Sequence, residues 1–422
     1  MLLSGDARGS IMRPSIRSAS RAGACAAAIL IPLAAFAAEK LERPPSFDAG
    51  RLPQIKATGE NYVIATPVGS DGFLRKYLIK TPYGDLPAHG DAMARMRLGE
   101  LAALHELEKL SQSEAFGKRL VEAGLSPLKY TGQLITNPGE TISNTFSGIG
   151  QRLSQFGSGV ANFGKSTGDT DNPIAGMLGV SQQKRELAAR LGVDPYTDFQ
   201  ALNEKMTRLS EAGASGGLTV SAAFMVIPGV GGAIVSGVAS GSNLSNLARD
   251  YSAAQLLDLN RQKLADMSVE PGIADALLAN RSYTPLDVAA MLVALESMAD
   301  VEGRTGFIAR ATSVSDRDRA YFMRRQAELL AAHHTKTGAL VRFVWVGDFP
   351  FNEVRTGGVV GVWPVDALSW TDGTSRLWQD LIARLKQRGR PRMELRITGQ
   401  ATSLARQRFK ALGWGLVENA RL

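Results

Sequence analysis

Two aspartates near the C-terminus, Asp348 and Asp366, are the residues in this sequence best placed to do chemistry. Each follows a run typical of a β-strand, where α/β proteins tend to hold their ligands. A pair of carboxylates can exchange protons with a substrate or bind a divalent cation. Neither a histidine nor a Gly-x-Ser-x-Gly motif accompanies them in residues 339–422. We therefore treat both only as weak catalytic candidates.

The rest of the sequence gives no pattern for a metal or a cofactor. His89 and His105 lie on different predicted elements, and the adjacent His333 and His334 point to divergent sides of one predicted helix, where we expect both to be solvated. The glycine-rich stretch 229–232 lacks the lysine of a phosphate-binding loop. The sequence therefore predicts no cofactor and no metal, and it favours a protein that is not an enzyme.

The elements that position the two aspartates form a small basic α/β domain over residues 339–422. Alternating or continuous apolar residues predict strands, and amphipathic periodicity predicts helices between them. The predicted strands are 340–346, 359–363, 393–398 and 414–417, and the predicted helices are 374–388 and 402–412.

The preceding region is predicted to be mainly helical. Strand-like residues 62–65 and 76–80 flank a Gly-Ser-Asp-Gly turn, which is typical of a β-hairpin. Helical patterns then continue to Gly338, so the fold class is mainly α, a multi-helix body with a short N-terminal β-hairpin, plus the C-terminal α/β domain. The predicted divisions are a signal peptide (1–37), an extended leader (38–60), a hairpin-and-helix region (61–165), a helical domain (166–338) and the α/β domain (339–422).

The N-terminus has the pattern of a secretory signal peptide. Arg13, Arg17 and Arg21 precede an uncharged apolar run, which ends in the small-residue cleavage motif Ala35-Phe36-Ala37. The run is short for a membrane span and is interrupted by a proline. Cleavage would also remove Cys25, the single cysteine, which suits an oxidising compartment. We therefore expect export by the general secretory route to the periplasm or cell envelope.

Positive charge is concentrated at the C-terminus. The whole chain carries a formal net charge of +8, and residues 301–422 alone carry 20 basic and 11 acidic residues, or +9. From Arg384 to Lys410, Glu394 is the single acid among nine basic residues. Such a region attracts anionic lipids or anionic envelope polymers, or it is an ordinary solvated face. Because it lacks interleaved aromatic residues, nucleic acid is an unlikely partner.

Residues 137–165 predict an amphipathic, glycine-rich helix. Apolar residues recur every three or four positions from Ile142 to Phe163, while Arg152 is the single charge between Glu140 and Lys165. Gly148, Gly150, Gly157 and Gly159 each cost about 1 kcal/mol of helix propensity relative to alanine. Close approach of another surface would offset that cost. The helix either packs on its own domain or serves membrane contact or self-association.

Residues 212–248 form a charge-free segment of 37 residues. Pro228 and Gly229 divide it into two apolar halves, and Gly237 with Gly241 gives the small-residue spacing of closely packed helices. A buried helical hairpin and a membrane-inserting hairpin both fit this pattern.

Taken together, these features predict an exported, non-enzymatic envelope protein that associates with membrane or with itself through its glycine-rich helices. The alternative is a soluble periplasmic enzyme or ligand-binding protein that uses the C-terminal α/β domain.

Overall fold

The computed structural model describes residues 40–52, 54–112, 181–215, 247–387, 389 and 392–420. They show a mixed α/β protein in which helix makes up about 50%, which confirms the fold class in outline. From residue 41 onward, the described residues belong to a single compact unit. The predicted signal peptide, the glycine-rich helix 137–165 and residues 216–246 of the charge-free segment lie outside the described residues.

The N-terminal region folds as a five-stranded sheet around a central strand, β4. The strands are β1 (Thr58–Gly59), β2 (Tyr62–Ile64), β3 (Gly69–Ser70), β4 (Arg75–Thr81) and β5 (Gly84–His89). Strands β2, β3 and β5 all pair antiparallel with β4. Buried and exposed side chains alternate along β4, so Arg75, Tyr77 and Ile79 face the interior.

Eight described helices follow this sheet. They are α1 (Asp91–Gln112), α2 (Gln182–Leu191), α3 (Gln200–Ser215), α4 (Ala253–Asp266), α5 (Pro271–Leu278), α6 (Pro285–Glu296), α7 (Arg304–Ala311) and α8 (Arg317–Lys336). Helix α6 is almost wholly buried, and its start is fixed locally. Thr284 and Asp287 form a capping box there, and Pro285 occupies the first helical position, where its missing N–H has no cost.

The C-terminal region forms a second five-stranded sheet in the order β12-β10-β8-β7-β6. Its strands are β6 (Leu340–Val346), β7 (Phe349–Val354), β8 (Val359–Trp363), β10 (Met393–Ile397) and β12 (Trp414–Val417), joined in part by helices α9 (Asp372–Gln387) and α10 (Ser403–Ala411). Strands β8, β10 and β12 are parallel, and β7 is antiparallel to both of its neighbours. A short parallel pair, β9 (Ala367–Leu368) with β11 (Gln400–Ala401), lies at the strand ends.

Strand β7 has no counterpart among the predicted elements. Pro350 within it is a residue that argues against a strand in a sequence pattern, because proline donates no ladder hydrogen bond. In the structure, Pro350 pairs in register with Trp345, and its carbonyl oxygen accepts a hydrogen bond from Trp363 Nε1 at 3.1 Å.

The C-terminal sheet is buried on both faces. Val360 and Val362 of β8 pack into the core formed with helices α4 to α8. Val359 and Trp363 point to the opposite face, where they join α9 and α10. The ring centroid of Trp378 lies 5.1 Å from that of Trp363 and 4.8 Å from that of Phe409. The sheet therefore joins the helical body to the two C-terminal helices through continuous apolar cores.

Within the described ranges, no helix combines the length and the apolar character needed to cross a bilayer. The longest of these helices are α1, with 22 residues, and α8, with 20. Both interleave charged side chains with apolar ones.

Candidate functional site

The structure places Asp348 and Asp366 at one edge of the C-terminal sheet, beyond the ends of β6 and β8, two strands apart. Asp348 lies in the β6–β7 turn with 78% of its side chain exposed, and its carboxylate pairs with the guanidinium of Arg310. Asp366 is only 3% exposed. The two carboxylates have different partners on different elements, so the structure does not assemble them into one acid/base pair.

Asp366 joins the C-terminal sheet to the N-terminal region. Its Oδ2 accepts hydrogen bonds from the backbone N–H of Asp91 at 2.9 Å and from that of Arg75 at 3.3 Å. The side chain of Asp91, the first residue of α1, is in turn fixed by Arg75 Nη1 and by the hydroxyl of Tyr77, each at 2.6 Å. The side chain of Asp366, distant in sequence, thus provides the acceptor for a backbone N–H group at the start of α1 that has no partner within the helix.

The protonation of Asp366 follows from this enclosure. Burial, together with the nearby carboxylate of Asp91, raises the pKa of Asp366 to about 8, although the two N–H donors and Arg75 oppose the shift. Gly399 packs so closely on this residue that a Cβ atom there would lie 1.9 Å from the Asp366 carbonyl oxygen. The carboxyl group is therefore held by backbone on several sides.

A polar loop at 194–198, between α2 and α3, forms hydrogen bonds to several elements of the helical body. Asp194 Oδ1 accepts the backbone N–H of Tyr196 at 2.8 Å, and its Oδ2 accepts the hydroxyl of Thr284 at 2.6 Å. The hydroxyl of Thr197 donates to the buried carboxylate of Glu100. The 194–198 loop thereby contacts both α1 and the start of α6.

An ionic cluster formed by Arg97, Asp198, Asp287, Arg317 and Arg324 lies behind this loop. Arg97 donates two hydrogen bonds to Asp198, at 2.8 and 2.7 Å, across a sequence separation of 101 residues. Asp287 is 0% exposed and accepts from Arg317 Nη1 at 2.5 Å and from Arg324 Nη1 at 3.1 Å. Arg317 Nε also lies 3.6 Å from Asp198 Oδ1, so the cluster is continuous from α1 to α8.

The pKa values of two carboxylates in this region are shifted in opposite directions. Burial, together with the charge of Asp287, raises the pKa of Asp194 to about 6. Burial would also raise the pKa of Asp287, but the charges of Arg317 and Arg324 outweigh it and hold that pKa below its usual value. The pKa of Asp287 differs in direction from that of Asp194 because Asp287 contacts two arginines directly, and a nearby opposite charge favours the ionised form.

A cavity of about 210 Å³ opens beside the 194–198 loop. Its walls come from α2, α3, the loop before α6 and the start of α8. The lining residues are Lys184, Pro195, Tyr196, Thr197, Asp198, Asn203, Arg281, Ser282, Tyr283, Thr284 and Arg317. Asp366 is not among them, so this cavity is separate from the predicted catalytic candidates. Its concave shape and converging polar groups make it the candidate functional site.

The expectation that His333 and His334 are both solvated is wrong. His333 is 3% exposed, and burial, with Arg396 nearby, lowers its pKa to about 4. His334 Nδ1 accepts the backbone N–H of Leu340 at 3.1 Å. In the described part of the chain, no group of three or more histidine, cysteine or acidic side chains is arranged to hold a metal ion.

The basic tail is partly neutralised by neighbouring carboxylates. Arg384 pairs with Asp380 at 2.8 Å, Arg396 with Glu394 at 2.5 Å and Arg406 with Glu418 at 2.7 Å. Arg388 and Arg390 lie outside the described residues. Among the described basic residues, the uncompensated charge is therefore smaller than the sequence count indicates.

Comparison with protein-family models, with curated proteins and with solved structures finds no match for this chain.

Sequence reasoning did not find the 194–198 loop as a site. Its residues have the pattern of an ordinary turn followed by a helix start. Asp287 and Arg317 likewise have the pattern of helix starts, and both do lie in the first turn of a helix. An available signal was the density of hydrogen-bonding side chains in Asp-Pro-Tyr-Thr-Asp. Their partners are far away in sequence, and no local pattern points to them.

We predict that Asp287→Ala lowers the free energy of unfolding by about 3–5 kcal/mol, because it leaves Arg317 and Arg324 buried without their shared counter-ion. Urea unfolding followed by circular dichroism measures the change. Asp348→Ala is the matched control, since it removes an exposed carboxylate–arginine pair worth less than about 1 kcal/mol. Equal losses in the two variants would contradict the importance assigned to the cluster.

We predict that Asp366→Asn becomes increasingly more stable than the parent as the pH rises. The pKa of Asp366 in the folded protein, about 8, is above its ordinary value. Its stabilising contribution is therefore complete below its ordinary pKa of about 4 and is lost progressively as the pH rises from there to about 8. The asparagine variant keeps an oxygen acceptor for the N–H of Asp91 but does not ionise. Calorimetric Tm values of both proteins between about pH 5 and about pH 9 test this, and a constant difference in Tm would contradict it.

Proposed function

We propose that the protein is an exported, non-enzymatic protein of the cell envelope, which associates with membrane or with itself through residues 137–165 and 212–248. The support comes from the described residues on either side of these segments. The described chain stops at residues 112 and 215 and resumes at residues 181 and 247, and all four positions lie toward one end of the layer formed by α1, α2 and α3.

Helices α1 and α3 run parallel to each other, which places their ends on the same side of the layer. Arg97 near the start of α1 pairs with Asp198, just before α3. Toward the end of α1, the hydroxyl of Ser111 accepts a hydrogen bond from Lys205 Nζ of α3 at 2.8 Å. Both helices therefore end in the same direction, at residues 112 and 215.

Helix α2 runs antiparallel to α3. Lys184, near the start of α2, donates to the Thr207 hydroxyl of α3 at 2.8 Å. Arg185 Nε donates to the carbonyl oxygen of Arg249 at 3.4 Å. The chain therefore resumes, at residues 181 and 247, near the level at which α1 ends. We call this region the connection end of the helix layer.

This arrangement supports the proposed function because the described chain on either side of residues 113–180, and on either side of residues 216–246, lies at the connection end. Small residues in such segments allow a close approach between helices or between a helix and lipid. We propose anionic lipids or envelope polymers as further partners of the basic tail, and we do not propose nucleic acid.

A second candidate is a soluble periplasmic enzyme or ligand-binding protein that uses the C-terminal α/β region, residues 339–422, with Asp366 as its catalytic carboxyl group. The observation that favours it is the position of Asp366 beyond the carboxyl end of β8, with a pKa raised to about 8. Strongly perturbed carboxyl groups at such edges are common in active sites.

We predict that the full-length exported protein sediments with membranes and is released by detergent, but not by high salt or carbonate. Val235→Lys places a charge within the charge-free segment and should shift most of the protein to the soluble fraction, because a buried lysine is costly in lipid. Val63→Lys is the matched control, since Val63 lies on the N-terminal sheet and is already 51% exposed.

Fractionation with immunoblotting measures the distribution, and sedimentation velocity of any soluble fraction measures self-association. Recovery of the parent protein as a soluble monomer in a salt-free periplasmic extract would reject the proposal. So would identical distributions of Val235→Lys and the parent.

A further inference from the structure

The cavity beside the 194–198 loop contains a buried lysine without a counter-ion in contact. Lys184 is 4% exposed and lines the cavity. Its Nζ donates to the side-chain oxygens of Asn203 and Thr207, both of them neutral acceptors. Among the described residues, no carboxylate lies within ion-pair distance of Nζ. One of the three N–H groups of this ammonium is therefore without a described partner.

The nearest carboxylates act on Lys184 only through space. Glu211 and Asp194 favour its charged form, but burial outweighs them and lowers the pKa of Lys184. An ammonium buried without a counter-ion costs free energy, unless a ligand or solvent in the adjoining cavity compensates it. Lys184 therefore differs from the arginines of the ionic cluster, such as Arg97 and Arg324, which contact carboxylates directly.

The other charged residues that line the cavity are Asp198, Arg281 and Arg317. Asp198 is negative, but both of its oxygens already accept hydrogen bonds from Arg97. Arg317 is paired with Asp287. The lining thus combines three basic side chains with one carboxylate, and beside Lys184, which has no described counter-ion in contact, the local field favours an anion.

The size and the polar lining of the cavity restrict the ligand further. A volume of about 210 Å³ corresponds to roughly seven water molecules, which suits a small ligand or a small ligand group. Asn203, Ser282 and Thr284 add amide and hydroxyl groups to the walls. One uncompensated ammonium balances one negative charge, whereas a phosphate group carries more than one near neutral pH.

We propose that this cavity binds a small organic monocarboxylate, whose oxygens accept a hydrogen bond from the Lys184 ammonium. This site does not depend on membrane association or self-association, since it is built entirely from described residues of the helical body.

The test is thermal unfolding of the full chain with sodium lactate or sodium gluconate, compared with sodium chloride at equal ionic strength. At saturation, at least one of the two carboxylates should raise the Tm by about 2–4 °C. Lys184→Gln should weaken binding of that carboxylate about tenfold or more by isothermal titration calorimetry, because it removes a charge-assisted hydrogen bond. Lys205→Gln is the matched control, a half-buried lysine on α3 that does not line the cavity, and it should bind like the parent.

Lys184→Met provides a second variant if Lys184→Gln does not fold, as judged from its Tm in sodium chloride. The absence of a Tm increase with either carboxylate overturns the proposal, and so does parental affinity in a folded Lys184 variant. Sodium phosphate is the third ligand tested. Binding of phosphate as tight as that of the carboxylates would reject a monocarboxylate site, while weaker binding supports it.

Discussion

The buried carboxylate of Asp287 is the constraint around which the helical body is arranged. It completes the capping box of α6 by accepting the backbone N–H of Thr284 at 2.9 Å. The same carboxylate pairs with Arg317 and Arg324 of α8. Moving these charges out of water costs several kcal/mol per ion. The cost is offset because the Asp287 carboxylate caps α6 and is at the same time the counter-ion of both arginines.

The contacts of Asp287 also affect the positions of the cavity and of the connection end. Arg317 lies next to Asp198, and Asp198 fixes Arg97 of α1, so α1 and α8 are aligned through the 194–198 loop. That alignment positions α2 and α3, which form one wall of the cavity and also the connection end. A buried ionic cluster is weak evidence for stability in itself, because apolar replacements can be equally stable. Its role here is to fix which helices meet and in which direction.

The sequence predicted those features that depend on neighbouring residues. The start of α6 was predictable from Thr284, Pro285 and Asp287, and β8 was predictable as an apolar run. The partners of those same residues were not predictable. Asp366 was identified as a candidate from its position after a strand, but its bond to Asp91 crosses 275 residues. Charged residues at helix starts look alike in a sequence whether they face solvent or a buried partner.

A double-mutant cycle between Asp287 and Arg317 measures the central interaction most directly. The free energy of unfolding is determined for the parent, Asp287→Asn, Arg317→Met and the double variant. We expect a coupling energy of at least about 1.5 kcal/mol, since the two groups are in contact within a buried network. Additive effects, within about 0.5 kcal/mol, would show that this pair does not hold α6 and α8 together and would contradict the account.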